Sequence, residues 1–405
     1  MPPHPIQFPP DDTAWQRRVA RIDPVSYART RNHLGGAVTA LSPYITHGFV
    51  NLPEVHALIA QRTGRALGPE DKLFAEFGWR EFFQHVWLHQ GDAILRDLRP
   101  ALPGVRYRSE IPPEVRSACT GIPVIDQAVR TLYRTGWLHN HARMWLASYL
   151  VHLCKVNWRS GADWMHAHLL DGDLASNHLS WQWIAGTFSA KPYLFNADNV
   201  ARFAPRDWHS PGTVIDCTYE QLEAVARSNQ VPAAKPGQAP GLGALQTHGP
   251  EPEPPVFSRP PTGLWREHDP TQLAQTRARS DADLEWVHPW ALSSRSGAHP
   301  RIGLLHAEFH ARFPWSEQRW RFVLTRMREV CDTVLWFDPS APDQAALSPG
   351  VIRHTLAPGY RDLMNAPGLR PQPASRLLPQ PSRPCASFSS FYRDATARWV
   401  STPIR

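Results

Sequence analysis

A chain of 405 residues is long enough for two domains and a sizeable core, and 42% hydrophobic residues is the composition of a globular rather than a disordered protein. The formal net charge of +7 points toward an anionic partner such as nucleic acid without identifying it. Five scattered cysteines (Cys119, Cys154, Cys217, Cys331 and Cys385) form no CxxC, which fits a reduced, cytoplasmic setting and argues against a local zinc or iron–sulfur site. The start, MPPHPIQFPPDD, lacks the basic and apolar parts of a signal peptide, and no run of about 18 apolar residues reads as a membrane span.

In chain order, residues 13 to 34 read as helical, and Gly35 and Gly36 then break the pattern. In TALSPY, Thr39 and Ser42 flank Ala40 and Leu41 in a turn. Its hydroxyls and free N–H groups suit a phosphate, and an ordinary Ser-Pro turn fits the same letters. Asn51 and Pro53 read as an N-cap and an early helical proline. Residues 70 to 90 form an aromatic helix in which Glu76, Trp79, Arg80 and Phe83 share a face, with Glu76 and Arg80 spaced for an intrahelical ion pair. Residues 100 to 118 are loop-like, and an amphipathic helix runs from Ile122 to Arg134.

From Gly136 to Arg202, acids, amides and tryptophans are denser than a helical core requires. Leu138, Trp145, Leu146, Tyr149, Leu150 and Leu153 outline a buried helix. On a helix, Asp173, Asn177 and Trp181 lie four apart and share one face, which suits the polar edge of a flat heterocycle. A buried acid needs a counter-charge, and Arg143 on the preceding helix is the candidate partner for one of the two carboxylates, Asp171 or Asp173.

Residues 228 to 262 are rich in proline, glycine and alanine without hydrophobic period, the pattern of a linker. Beyond it, residues 286 to 292, 301 to 306 and 333 to 338 read as strands and residues 316 to 332 as a helix, which together predict a small α/β unit with parallel pairing over 263–345. The proline-rich tail, 346–405, carries short helical stretches near Tyr360 and Phe391. His306, Glu308 and His310 in HAEFH, with His288 and His299 upstream, are not in HExxH order, and core or surface histidines are expected in place of a metal site.

The ordered set GWxHNxxRM, NWRxG and DGDLAxNxxxWQW resembles the FAD-binding region of the photolyase and cryptochrome family, and the likeness runs from about Tyr27 to Arg202. The resemblance implies a mainly α fold: a helical FAD-binding domain over 1–227 that holds FAD in a bent shape, followed by the small C-terminal α/β unit. It implies that Tyr27, Thr39, Leu41 and Ser42 serve the FAD diphosphate, with Val38 where a hydroxyl is common. Arg80 would be a further FAD contact. Arg143, Asp171 and Asp173 would surround the isoalloxazine, with Asn177 at flavin N5. Glu76, Trp79, Asn140, Met144 and Trp183 would line the cavity that takes a flipped-out pyrimidine dimer. Trp181 and Trp158 would carry electrons to the flavin, with Tyr107 near the place of a third member.

The same resemblance implies light-driven repair of cyclobutane pyrimidine dimers in DNA by a monomeric protein. The alternative it implies is a cryptochrome-like light or redox sensor that keeps FAD without repair. Several departures stand out. The antenna-binding α/β domain that precedes the FAD domain in the family is not found before Tyr27. The stretch after Trp183 is short and offers Lys191 in place of an arginine, His141 replaces a DNA-facing arginine, and the closing helices are cut short.

Overall fold

The computed structural model describes residues 6–232, 249–265, 284–295, 297, 299–340, 347, 349–353 and 359–400. Its first half is helical: α1 (Asp12–Val19), α2 (Pro24–Thr30), α3 (Ser42–Thr46), α4 (Leu52–Thr63), α5 (Lys72–Gln90), α6 (Pro113–Arg116), α7 (Pro123–Thr135), α8 (Asn140–Ser148), α9 (Trp158–His168), α10 (Leu174–Ala185), α11 (Ala197–Phe203) and α12 (Tyr219–Ala226). The expected helix over 13–34 is two helices. Pro24 takes the first turn of α2 and Asp23 caps it, because proline has no N–H to offer a helix interior. Asn51 caps α4 in a reciprocal capping box with Glu54. The chain after α8 widens into a π-helical turn over Tyr149–Leu153.

The second half is built on a five-stranded parallel sheet of β2 (Glu285–Val287), β3 (Arg301–His306), β5 (Thr333–Phe337), β6 (Gly350–Arg353) and β7 (Leu369–Gln372), in the spatial order β5-β3-β2-β6-β7. The first strand lies in the middle and the connections run outward both ways, so strand order reverses between β2 and β6. Residues 301–306 are buried throughout, as an apolar strand covered on both faces should be. Helices α13 (Ala307–Arg312) and α14 (Glu317–Val330) follow β3, and α15 (Phe388–Ala397) closes the described chain. A short antiparallel pair joins β1 (Val256–Phe257) to β4 (Trp315–Ser316).

Three sequence expectations need correction. The strand expected over 286–292 stops at Val287, since Pro289 cannot donate to a ladder. The expected α/β unit ends too early at 345, because β6 and β7 come from the stretch read as a tail; their few residues give no period. Residues 249–262 of the expected linker are docked: Glu253 pairs with Arg116 at 2.7 Å and accepts from Trp164 Nε1 at 3.0 Å. Residues 233–248 of that linker lie outside the described residues, as do 266–283, 296, 298 and 341–345 of the expected α/β unit.

One apolar cluster runs from the N-terminal helices into the sheet, so the halves share a core. Phe49 stacks on Phe322 of α14 at 5.3 Å, and the fully buried Arg326 pairs with Asp12 at 2.7 Å. His47 bridges the two halves, with Nδ1 2.7 Å from Pro289 O and Nε2 2.8 Å from Leu170 O. Both partners are carbonyls, so a neutral ring donates to only one of them. Burial and the Arg319 charge favour that neutral ring, pushing its pKa down to about 3. A second cluster fills the space among α7, α8 and α9. No helix among the described residues is long and apolar enough to cross a membrane.

Candidate functional site

A cavity of about 380 Å³ opens between α5, α8, α9 and α10. On α5, the face formed by Glu76, Trp79, Arg80 and Phe83 lines it; from α8 come Asn140, Arg143, Met144 and Ala147; from α9, Met165; from α10, Ser176, Asn177, Ser180, Trp181, Trp183 and Ile184. Spacings of three and four residues put each set on one side of its helix. Asp173 sets the start of α10 by accepting from Ser176 N at 3.0 Å, and Gly186, in the left-handed region at φ 81°, stops it.

Asp171, also at the cavity, is buried and accepts both of its close contacts from Arg143 Nη2, at 2.9 and 2.7 Å. Arg143 Nε is spent on Leu138 O at 2.8 Å, which fixes the guanidinium. The expected pairing of acid and arginine is therefore what the structure holds. Asn177 donates its amide nitrogen to Ala162 O at 2.9 Å. Asp173 Oδ2 accepts from the Ser176 hydroxyl at 2.6 Å, while Asp173 Oδ1 is buried without a partner. A buried carboxylate oxygen left open in this way suits a ligand donor.

Glu76 does not pair with Arg80. It lies 3.4 Å from Arg31 Nε at the C-terminus of α2, and Arg80 instead donates to Thr46 Oγ1 at 3.0 Å. Thr46 in turn donates to Asp171 O at 3.5 Å, so α3 reaches the cavity wall through its last residue. Trp79 stacks face to face on Phe388 of α15 at 4.0 Å and 9°. Trp183 is 37% exposed at the opening and tilts against Tyr193. Trp181 is buried and lies against Gly161, where a Cβ would come within 2.3 Å of its ring.

The remaining expected residues lie off the cavity lining. Tyr27 is half-buried, and burial together with the Glu76 charge raises its pKa. Leu41 is fully buried. Thr39 Oγ1 accepts from Leu41 N at 3.4 Å, and Ser42 Oγ accepts from Trp137 Nε1 at 3.1 Å. Trp158 is buried in α9 and donates to Asp97 Oδ1 at 2.5 Å, and Asp97 also helps to raise the pKa of Tyr107 to about 12, after burial. Thr46, Phe83, Met165, Ser176 and Ser180 were not singled out as site residues. For Ser176 and Ser180 the signal was available, one position before Asn177 and Trp181 on the same repeat. For Thr46 it was not, because its role depends on where α3 packs. In the C-terminal half, His310 Nε2 bonds the Tyr360 hydroxyl at 2.7 Å, and among the described residues no group of three His, Cys, Asp or Glu side chains is placed to hold a metal.

Residues 73–215, which contain α5 to α11 and all of the cavity wall, match the FAD binding domain of DNA photolyase. The likeness to the photolyase FAD-binding family covers these residues. Among curated relatives, the chain is 38% identical over 153 residues to the deoxyribodipyrimidine photo-lyase of Streptomyces griseus, covering 38% of this chain and 33% of that protein. It is 34% identical over 207 residues to the enzyme of that name from a Synechococcus strain, covering 46% and 40%. It is 31% identical over 229 residues to the chloroplastic/mitochondrial cryptochrome DASH of Ostreococcus tauri, covering 53% and 39%. The chain thus spans about a third to two-fifths of the length of these relatives.

FAD is the cofactor of this photolyase-type domain, and the residues present fit it. The cavity offers tryptophan and methionine side chains for a flat ring, a fixed arginine–carboxylate pair and an amide, while Asp173, with its open oxygen, lies outside the lining.

Proposed function

We propose that the chain is a light-driven flavoprotein that repairs cyclobutane pyrimidine dimers in DNA. The observation that carries this reading is a single cavity where Arg80, Arg143, Asp171, Asn177 and Trp181 meet Glu76, Trp79, Asn140, Met144 and Trp183. The first set would hold FAD, with Asp173 closing one end through its open oxygen and Tyr27, Thr39, Leu41 and Ser42 serving the diphosphate from the α2–α3 side. Bound FAD supplies electron transfer driven by light. The protein's part is binding, orientation and electrostatics.

In this reading Trp79 and Trp183 stack on extruded bases, and Glu76 and Asn140 hydrogen-bond their polar edges, with Met144 filling the gap between. Arg31 Nε lies 3.4 Å from Glu76 Oε1 and helps to orient that carboxylate as an acceptor. Trp181, in the cavity wall, and Trp158, behind it on α9, would pass electrons inward, with Asp97 placed to take the indole proton of an oxidised Trp158. Damaged DNA is the partner this implies, and the net charge of +7 supports it.

A sensor that keeps FAD without repair is the second reading. The observation favouring it is Phe388, which already stacks on one face of Trp79. Fully reduced protein, mixed with a dimer-containing oligonucleotide under blue light, separates the two. Repair is expected; bound FAD with no cleavage leaves the sensor.

A further inference from the structure

Arg319 comes from α14 in the α/β half and is fully buried. Its Nη2 donates to Gly172 O at 2.5 Å and its Nη1 to His166 O at 3.1 Å, while the guanidinium lies 4.0 Å over the Trp315 ring. Both carbonyls belong to the helical half, and Gly172 is the residue between Asp171 and Asp173. The fit is tight: a Cβ at Gly172 would come within 2.5 Å of Arg319 Nη1. The fork of Arg319 therefore grips, from behind, the turn that carries two of the expected flavin contacts.

A buried guanidinium costs several kcal/mol unless its charge is compensated. The hydrogen-bond acceptors here are neutral carbonyls, and the acids that act on Arg319 through space are Asp171 and Asp173, with Tyr360 a smaller influence. Asp171 is already matched by Arg143. Burial pushes the Arg319 pKa down to about 9, so the group stays cationic at neutral pH. The histidines that face it, His47, His166 and His310, are all driven toward their neutral forms by burial and then by the Arg319 charge, which leaves Arg319 as the cation among these four groups.

We propose that Arg319 is a positioning residue for the bound cofactor: it holds the Asp171–Gly172–Asp173 turn in register and keeps a positive charge behind the flavin ring system, favouring the reduced cofactor. The physical reason is direct. Reduction adds negative charge to the ring, and a fixed cation in a dry interior stabilises added negative charge far more than the same cation in water. The α/β half thereby becomes part of the flavin site without lining its cavity. This inference rests on the FAD reading.

The test is the midpoint potential of bound FAD in the full chain, alongside FAD occupancy and far-UV circular dichroism, for wild type, Arg319→Gln and Arg319→Lys. Arg319→Gln is expected to shift the potential downward, with Arg319→Lys close to wild type at neutral pH. FAD bound by Arg319→Gln at the wild-type potential overturns the proposal. Should Arg319→Gln fail to fold, Arg319→Lys decides alone. A buried ammonium loses its proton more easily than a guanidinium, so its potential should fall below that of wild type as pH rises from about 7 to about 9, and parallel curves overturn the proposal. Wild-type protein that takes up no FAD refutes the cofactor reading itself, a distinct outcome.

Discussion

Gly161→Ala probes the packing on which the cavity wall depends. In most helix interiors this change stabilises, because alanine is favoured over glycine by about 1 kcal/mol. Here the added Cβ would lie 2.3, 2.5 and 3.2 Å from three ring carbons of Trp181. Carbon atoms pack at about 3.5–4.0 Å, so the ring must retreat by roughly 1 Å or α9 and α10 must part. Trp181 is only 2% exposed, and the space a displaced ring would enter is the cavity it lines. Overpacking of this kind costs about 1–3 kcal/mol, which outweighs the helix-propensity gain. The expected result is a lower apparent melting temperature by circular dichroism, together with a lower ratio of flavin to protein absorbance, since the displaced ring moves within the cavity wall. A variant as stable as wild type or more so, with full FAD, would refute the packing argument.

Other residues give further tests. Glu81 is buried on the back of α5, where Leu377 N and Leu378 N donate to its two oxygens at 2.7 and 2.8 Å, and burial raises its pKa to about 7. The folded chain thus holds a proton that the unfolded chain releases near 4.5, so this group makes stability fall as pH rises from about 4.5 to about 7, by about 3 kcal/mol in all. In Glu81→Gln that part of the slope should vanish and the segment after Arg376 should become easier to cleave by protease; an unchanged slope would show that Glu81 is not its source. Asp171→Asn should leave Arg143 without its charge partner and weaken FAD retention on dilution at least tenfold, about 1.4 kcal/mol, and equal retention would exclude the pair as a cofactor contact. Trp181→Phe should slow photoreduction of bound FAD strongly, and unchanged kinetics would mean that electrons arrive by another route.

The helices around the cavity were legible in the sequence because their apolar and polar positions repeat with the helical period, and a cap such as Asn51 marks where a neighbouring helix begins. That Arg143 pairs with one of the two acids could be foreseen from the need of a buried acid for a counter-charge, and the structure selects Asp171. Glu76 went differently: its spacing to Arg80 satisfied a local rule, but Arg31, 45 positions away, made the contact. Tertiary proximity decided, and nothing within α5 encodes it. The same reason hid Thr46, Arg319 and Phe388, each of which reaches the site from an element packed on it. Strands β6 and β7 were missed because four residues carry too little alternation to read as a strand, and β7 contains Pro371.

The account stands or falls on FAD in the cavity between α5, α8, α9 and α10. The most direct measurement is the absorption spectrum of the purified full chain before and after incubation with FAD and removal of the excess. Flavin bands at one FAD per chain, reduced in Asp171→Asn, are predicted. A colourless protein that takes up no FAD, while circular dichroism shows it folded, would contradict the account.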